Sequence, residues 1–139
     1  MQRDWCEYRG ERVYFLKRAQ IMVADWYTML PGRFPKWRMG ELTMFADYRV
    51  PAILHSKGIR FIHILGVLEY SEELEGMIER GDLLETGCEM EVEIRAASVQ
   101  AVEELARLTS IPAYQIDFLL WDSHPIPTKP HHRTRTIFY

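Results

Sequence analysis

The chain has 139 residues, 47% of them hydrophobic and 12% aromatic, which suits one packed globular domain and excludes a disordered polypeptide. Its formal net charge of −3 excludes a general attraction to nucleic acid or anionic membranes. Two cysteines, Cys6 and Cys88, provide no disulfide framework and no metal-ligand spacing, so a reducing cytoplasm is the expected location. The longest apolar run, near Phe61–Leu68, is too short for a membrane span and contains His63. The start, Met1-Gln2-Arg3-Asp4-Trp5, has no signal-peptide core.

In chain order, the pattern predicts helices joined by Pro/Gly loops. Val13–Leu30 is apolar almost all round, the signature of a helix in the middle of a domain. Lys17 interrupts it, either as a snorkelling stem or as a partly buried ammonium answering an acid elsewhere. Pro31–Lys36 ends this helix in a basic loop. Pro51 is suited to the first position of a helix running through Leu54, with Asp47–Arg49 in the turn before it. Asp47 then reads as a local cap or a partner of Arg49, or as a carboxylate at a pocket mouth between Phe45 and Tyr48.

Ser56-Lys57-Gly58 breaks the chain, and Ile59–Leu68 fits helix or strand equally. Ser71 caps a charged helix through Arg80, stopped by Gly81. Over Glu89–Leu108, a helical stripe runs through Ile94, Ala97, Ala101, Leu105 and Leu108, while Glu91, Glu93 and Arg95 read as a solvated ion-pair face.

Ser110 is the expected cap of a helix over Ile111–Trp121, with Pro112 in its first turn. This segment places Asp117 one turn from Trp121, and Phe118 one turn from Asp122. Either both acids face water on an amphipathic helix, or they are held among aromatics, where a carboxylate needs partners or a shifted pKa. Pro125–Pro130 then leads into a basic end, His131–Tyr139. A frayed tail is the default there, but Ile137-Phe138-Tyr139 suits docking, and the imidazoles and guanidinia beside threonines suit a phosphate. There is no Gly-rich phosphate loop, nucleophile elbow or zinc spacing. Acids, aromatics and a basic end suit cleavage of a bond whose transition state is cationic.

Six strings in register carry a resemblance: Lys17-Arg18-Ala19-Gln20, Phe45-Ala46-Asp47-Tyr48-Arg49-Val50-Pro51, Leu65-Gly66-Val67-Leu68-Glu69-Tyr70-Ser71, Glu91-Val92-Glu93-Ile94-Arg95, Leu120-Trp121-Asp122 and His132-Arg133-Thr134-Arg135. Together they resemble the queuosine salvage family of queuosine 5′-phosphate N-glycosylases. The resemblance implies an all-α fold related to helix-hairpin-helix DNA glycosylases. It also implies hydrolysis of the N-glycosidic bond of queuosine 5′-phosphate, with release of queuine for tRNA modification and no cofactor or metal. Asp122 matches the catalytic acid, as nucleophile or transition-state stabiliser. Phe45, Asp47 and Asp117 match positions lining the queuine pocket. Phe118 falls where relatives carry Tyr, and Lys17 matches a polar site position. Charge alone adds His132, Arg133 and Arg135, with Lys17, as candidates for the phosphate.

Members of the family carry a further N-terminal region. Residues 1–139 are therefore expected to form one helical domain matching the C-terminal part, completed by a separate N-terminal half or by self-association through exposed apolar surface. The link His55–Phe61 is expected to be longer than in relatives. The alternative functions are a non-catalytic queuine or nucleotide-binding module, an inactive fragment of the enzyme, and a tRNA or DNA glycosylase-like protein. The acidic balance argues against direct nucleic-acid binding.

Overall fold

A computed structural model describes residues 4–55, 68–123 and 130–139. The expectations for Ser56–Gly58, for Ile59–Val67, for the His55–Phe61 link and for most of Pro125–Pro130 lie outside the described residues.

The first ordered element is a hairpin. Strand β1 (Trp5–Tyr8) pairs antiparallel with β2 (Glu11–Tyr14) in the register Trp5↔Tyr14 and Cys6↔Val13. Arg9 (φ 49) and Gly10 (φ 85) make the two-residue turn, both in the left-handed region that suits the twist of the flanking strands. Cys6, Tyr8 and Val13 pack on the main core. The predicted helix over Val13–Leu30 therefore starts late: Val13 and Tyr14 belong to β2, and helix α1 spans Lys17–Met29. Leu16 precedes it in a left-handed conformation (φ 51) with no capping side chain. The cap comes from far away in sequence, since the Lys17 N–H donates to Asp4 Oδ2 at 2.9 Å.

Helix α1 is not central. Only Ala24 is buried, while Met22, Trp26, Met29 and Leu30 are exposed. Its inner side ties down the following loop. Gln20 Nε2 donates to Phe15 O and Thr43 Oγ1, and Gln20 Oε1 accepts the Thr43 N–H at 2.9 Å. A single 3-10 turn, Met39–Glu41, leads into the buried run Met44–Asp47.

Helix α2 (Arg49–His55) begins two residues before Pro51, which tolerates a first-turn position because it has no N–H to bond. Helix α3 (Glu72–Arg80) has the predicted ends: Ser71 Oγ accepts the Leu74 N–H, and Gly81 closes it at φ 73. Strand β3 (Leu83–Leu84) follows. Helix α4 (Glu89–Thr109) is the longest, and Ser110 ends it in a left-handed conformation instead of capping the next helix. Helix α5 (Ala113–Ser123) starts after Pro112, whose carbonyl accepts the Gln115 and Ile116 N–H groups. Strand β4 (Arg133–Thr134) pairs parallel with β3, so the basic end is docked and not frayed.

The all-α expectation is thus corrected: among the described residues, five helices are joined by two small two-stranded sheets, a mixed α/β arrangement. Both sheets are made of strands of two to four residues, too short for alternation to declare them.

The main core gathers Met44, Val50, Ile53, Val102, Leu105 and Leu120 from the loop before α2 and from α2, α4 and α5. Full burial of side chains this size stabilises by roughly 1.5–3 kcal/mol each. A smaller cluster of Ala24, Phe45 and Tyr114 joins α1 to α5. Among the described residues, no helix is long and apolar enough to cross a membrane.

Candidate active site

The run Met44–Asp47 passes between α1 and α5, and its last residue is the electrostatic centre of the region. Asp47 is fully buried, and both of its oxygens are occupied. Oδ1 accepts the N–H groups of Arg49 (2.9 Å) and Val50 (3.0 Å), which makes Asp47 the cap of α2. Oδ2 accepts the Trp121 indole N–H at 2.8 Å and lies 3.8 Å from Lys17 Nζ. Two backbone donors, an indole and an ammonium offset the loss of hydration of a buried carboxylate. The cap reading of Asp47 holds and the pocket-mouth reading does not: it is a buried cap that also answers Lys17, and it sits behind the cavity wall.

Asp117, 2% exposed, points inward from α5, and its Oδ1 accepts the Phe45 N–H at 3.2 Å. Burial, then the nearby Asp47 charge, push its carboxyl up to about 7; the Phe45 N–H and Lys17 oppose the rise. Near neutral pH this group exchanges a proton, unlike an ordinary aspartate.

Trp121 is fixed on three sides. The Arg49 guanidinium lies 4.3 Å from its ring centroid, Arg49 Nη2 donates to the Trp121 carbonyl at 3.0 Å, and Asp47 holds its indole N–H. Phe45 and Phe118 meet edge to face with centroids 5.5 Å apart.

These side chains line a cavity of about 670 Å³. Lys17, Phe45, Asp117, Phe118 and Asp122, each singled out from sequence, all contribute to its wall, joined by Ile21 and Trp121. The volume lies in the range of small-ligand sites, and the mix of aromatic faces with a few converging polar groups is typical of them. Asp117 lies deep and Asp122 is exposed, so the two acids of α5 occupy different environments on one wall.

His132, Arg133 and Arg135 are not part of this wall. His132 is 2% exposed, and its ring nitrogens have no hydrogen-bond partner among the described residues. Burial, then His131 and Arg95, lower its pKa to about 4, so the ring is neutral at physiological pH. Arg133 reaches back toward the Gly81 carbonyl at 3.5 Å, and the Arg135 carbonyl accepts from Thr86.

Sequence reasoning passed over Trp121 as a wall residue, although it sits inside the Leu-Trp-Asp string. It also misjudged Glu91 and Arg95. Both are buried and bonded to residues from the two ends of the chain, Asp4 and Tyr139. A charged pair four residues apart looks the same on a solvated helix face as on a buried one.

The sequence matches the family model described as queuosine salvage protein over residues 1–139. It is 46% identical to a queuosine 5′-phosphate N-glycosylase/hydrolase of Sphaerobacter thermophilus, over 99% of this chain and 43% of that protein. Proteins of the same name from Dictyostelium discoideum and Mus musculus are 42% and 38% identical over 99% of this chain, covering 43% and 44% of their own lengths. The chain therefore spans less than half the length of these curated relatives. With residues 1–139 all covered by the family match, this chain belongs to the queuosine salvage protein family.

Proposed function

We propose that the chain carries the catalytic cavity of an N-glycosylase that hydrolyses queuosine 5′-phosphate and releases queuine. The observation that supports this best is the joint placement of three aromatic rings, one ammonium and two unlike carboxylates around a single cavity of about 670 Å³.

The chemistry follows from charge development. As the bond from C1′ to the base nitrogen breaks, its electron pair leaves with the base and positive charge builds on the ribose ring. A fixed carboxylate favours that cation over the neutral ground state. Asp122 supplies it at the cavity wall, by attack on C1′ or by electrostatic stabilisation while water adds there. Asp117, able to hold a proton near neutrality, gives that proton to the departing base and recovers one from the attacking water. Phe45, Phe118 and Trp121 offer faces to the flat base. Asp47 is saturated by its own donors, so its part is to hold Trp121 and Lys17 in place. Lys17 is the cation of the wall and the residue we assign to the phosphate side.

Incubation with queuosine 5′-phosphate, scored by chromatography for free queuine, tests the proposal. Wild-type turnover is expected to fall by about 10²-fold or more in Asp122→Asn, the scale of losing one pre-organised electrostatic group. Equal activity in both proteins removes Asp122 from the mechanism. The remaining length of the relatives is proposed to complete the site. Adding that region in trans is expected to raise turnover, and a folded mixture with no gain argues against it. A binding module without catalysis would retain queuine while leaving queuosine 5′-phosphate intact.

A further inference from the structure

Arg95 is outside the cavity wall, yet it bonds directly to the Met44–Asp47 run and, through Asp4, to the start of α1, two of the three segments that deliver wall residues. Its Nε donates to the carbonyl of Ala46 at 3.2 Å, in the peptide that joins Ala46 to Asp47. Its Nη2 meets the Asp4 carboxylate at 3.0 and 3.2 Å, and the same Asp4 Oδ2 accepts the Lys17 N–H. Glu91 takes Nη1 at 3.4 Å. The guanidinium plane is enclosed by the rings of Phe15, 3.9 Å from its centroid, and Tyr139, at 4.6 Å.

We propose that Arg95, acting through Asp4 and the Ala46 carbonyl, is a positioning residue that holds Lys17 and Asp47 in register and thereby sets how Asp47 faces Asp117. A continuous path supports it: Lys17 N–H to Asp4, Asp4 to Arg95, Arg95 to Ala46 O, and one peptide on to Asp47. At the far end Asp47 closes the loop with Lys17 Nζ. The geometry requires a planar fork. One group must serve a carboxylate and a carbonyl on different segments at once, while its faces lie against two rings. A lysine ammonium keeps the charge but cannot make all of these contacts from one atom.

Its catalytic consequence rests on the glycosylase reading above, but its structural consequence does not, so the two can fail separately. The test is Arg95→Lys, read by the titration of the Asp117 side-chain carboxyl carbon in NMR and by queuine release. The Asp117 midpoint is expected to move down from about 7 toward an ordinary aspartate as Asp47 shifts and water enters. Turnover is expected to drop about 10²-fold, the scale of a misplacement of about 1 Å. Tyr139→Phe is the structural control: it removes the hydroxyl bond to Glu91 but leaves the contacts of Arg95 with Asp4 and Ala46. It is expected to lower thermal stability without moving the midpoint.

A folded Arg95→Lys with an unchanged Asp117 midpoint overturns the proposal, as does an equal shift in Tyr139→Phe. If Arg95→Lys does not fold, Asp4→Asn takes its place. That variant keeps an oxygen for the Lys17 N–H while removing the ion pair, and the same midpoint decides. A shifted midpoint with no queuine release from the wild type leaves the positioning role standing and removes the glycosylase.

Discussion

Replacing Asp117 by asparagine should change the way stability depends on pH. In the folded protein its carboxyl is pushed up to about 7, against an ordinary value of 3.8, so between those values the folded state holds a proton that the unfolded state has lost. Stability from this group is complete below the unfolded value and is lost as pH rises to the folded one, becoming flat above it. Between about pH 5 and pH 8 the loss comes to about 2.5 kcal/mol, at 1.36 kcal/mol per unit over the part of the range where the states differ. Asparagine is neutral throughout, and its carbonyl can still accept the Phe45 N–H. Urea unfolding of both proteins at a series of pH values, followed by tryptophan fluorescence, gives the difference in unfolding free energy. That difference should grow in favour of Asp117→Asn by about 2.5 kcal/mol from pH 5 to pH 8. A difference that stays level would show that Asp117 titrates as an ordinary aspartate, and with it would go the proton-donor role.

His132 should act in the opposite direction. Its folded pKa is lowered to about 4 from 6.5, so stability is lost as pH falls through that window, by about 3 kcal/mol in full. In His132→Phe, acid unfolding curves should lack that loss, and an unchanged acid limb would contradict the buried neutral ring. Asp47→Ala should destabilise by about 3–5 kcal/mol, because it leaves the Trp121 N–H, the Lys17 ammonium and the start of α2 without their acceptor. Urea melts measure it, and Asp47→Asn, which keeps the cap, should lose less.

The local rules read from the sequence were sound where one segment decides its own structure. Ser71 and Gly81 bound α3 because a cap and a left-handed glycine act within a turn of the helix. The hairpin was passed over because Arg-Gly is a weaker turn signal than Asn-Gly, although Trp5 and Tyr8 stand before it and Val13 and Tyr14 after it. Helix periodicity placed Asp117 and Asp122 on neighbouring turns but could not say which way α5 faces. That is decided by its packing on α2 and α4 and by the Phe45 N–H, 72 positions away. Lys17, Phe45 and Asp122 of the cavity wall were legible because they lie in the strings that carried the family resemblance, whereas Ile21, Gln115 and Leu119 lie outside those strings and were not singled out. The supports of the wall were not legible. Asp4, Glu91 and Arg95 look like surface charges until chain ends far apart in sequence are brought together. His132 was a candidate for the phosphate because a basic run says nothing about the docking of β4 on β3, beside which this ring is buried.

The enclosure of Arg95 bears on how the polypeptide reaches its native state. Its walls come from residues near both ends, with Asp4 bonded across 91 positions and Tyr139 to Glu91 across 48. Contacts of such span form late, because long loops must close before any gain is felt. Until Tyr139 docks, α4 holds a guanidinium that lacks one of its two aromatic neighbours. Folding is therefore complete only once Tyr139 has closed on Arg95.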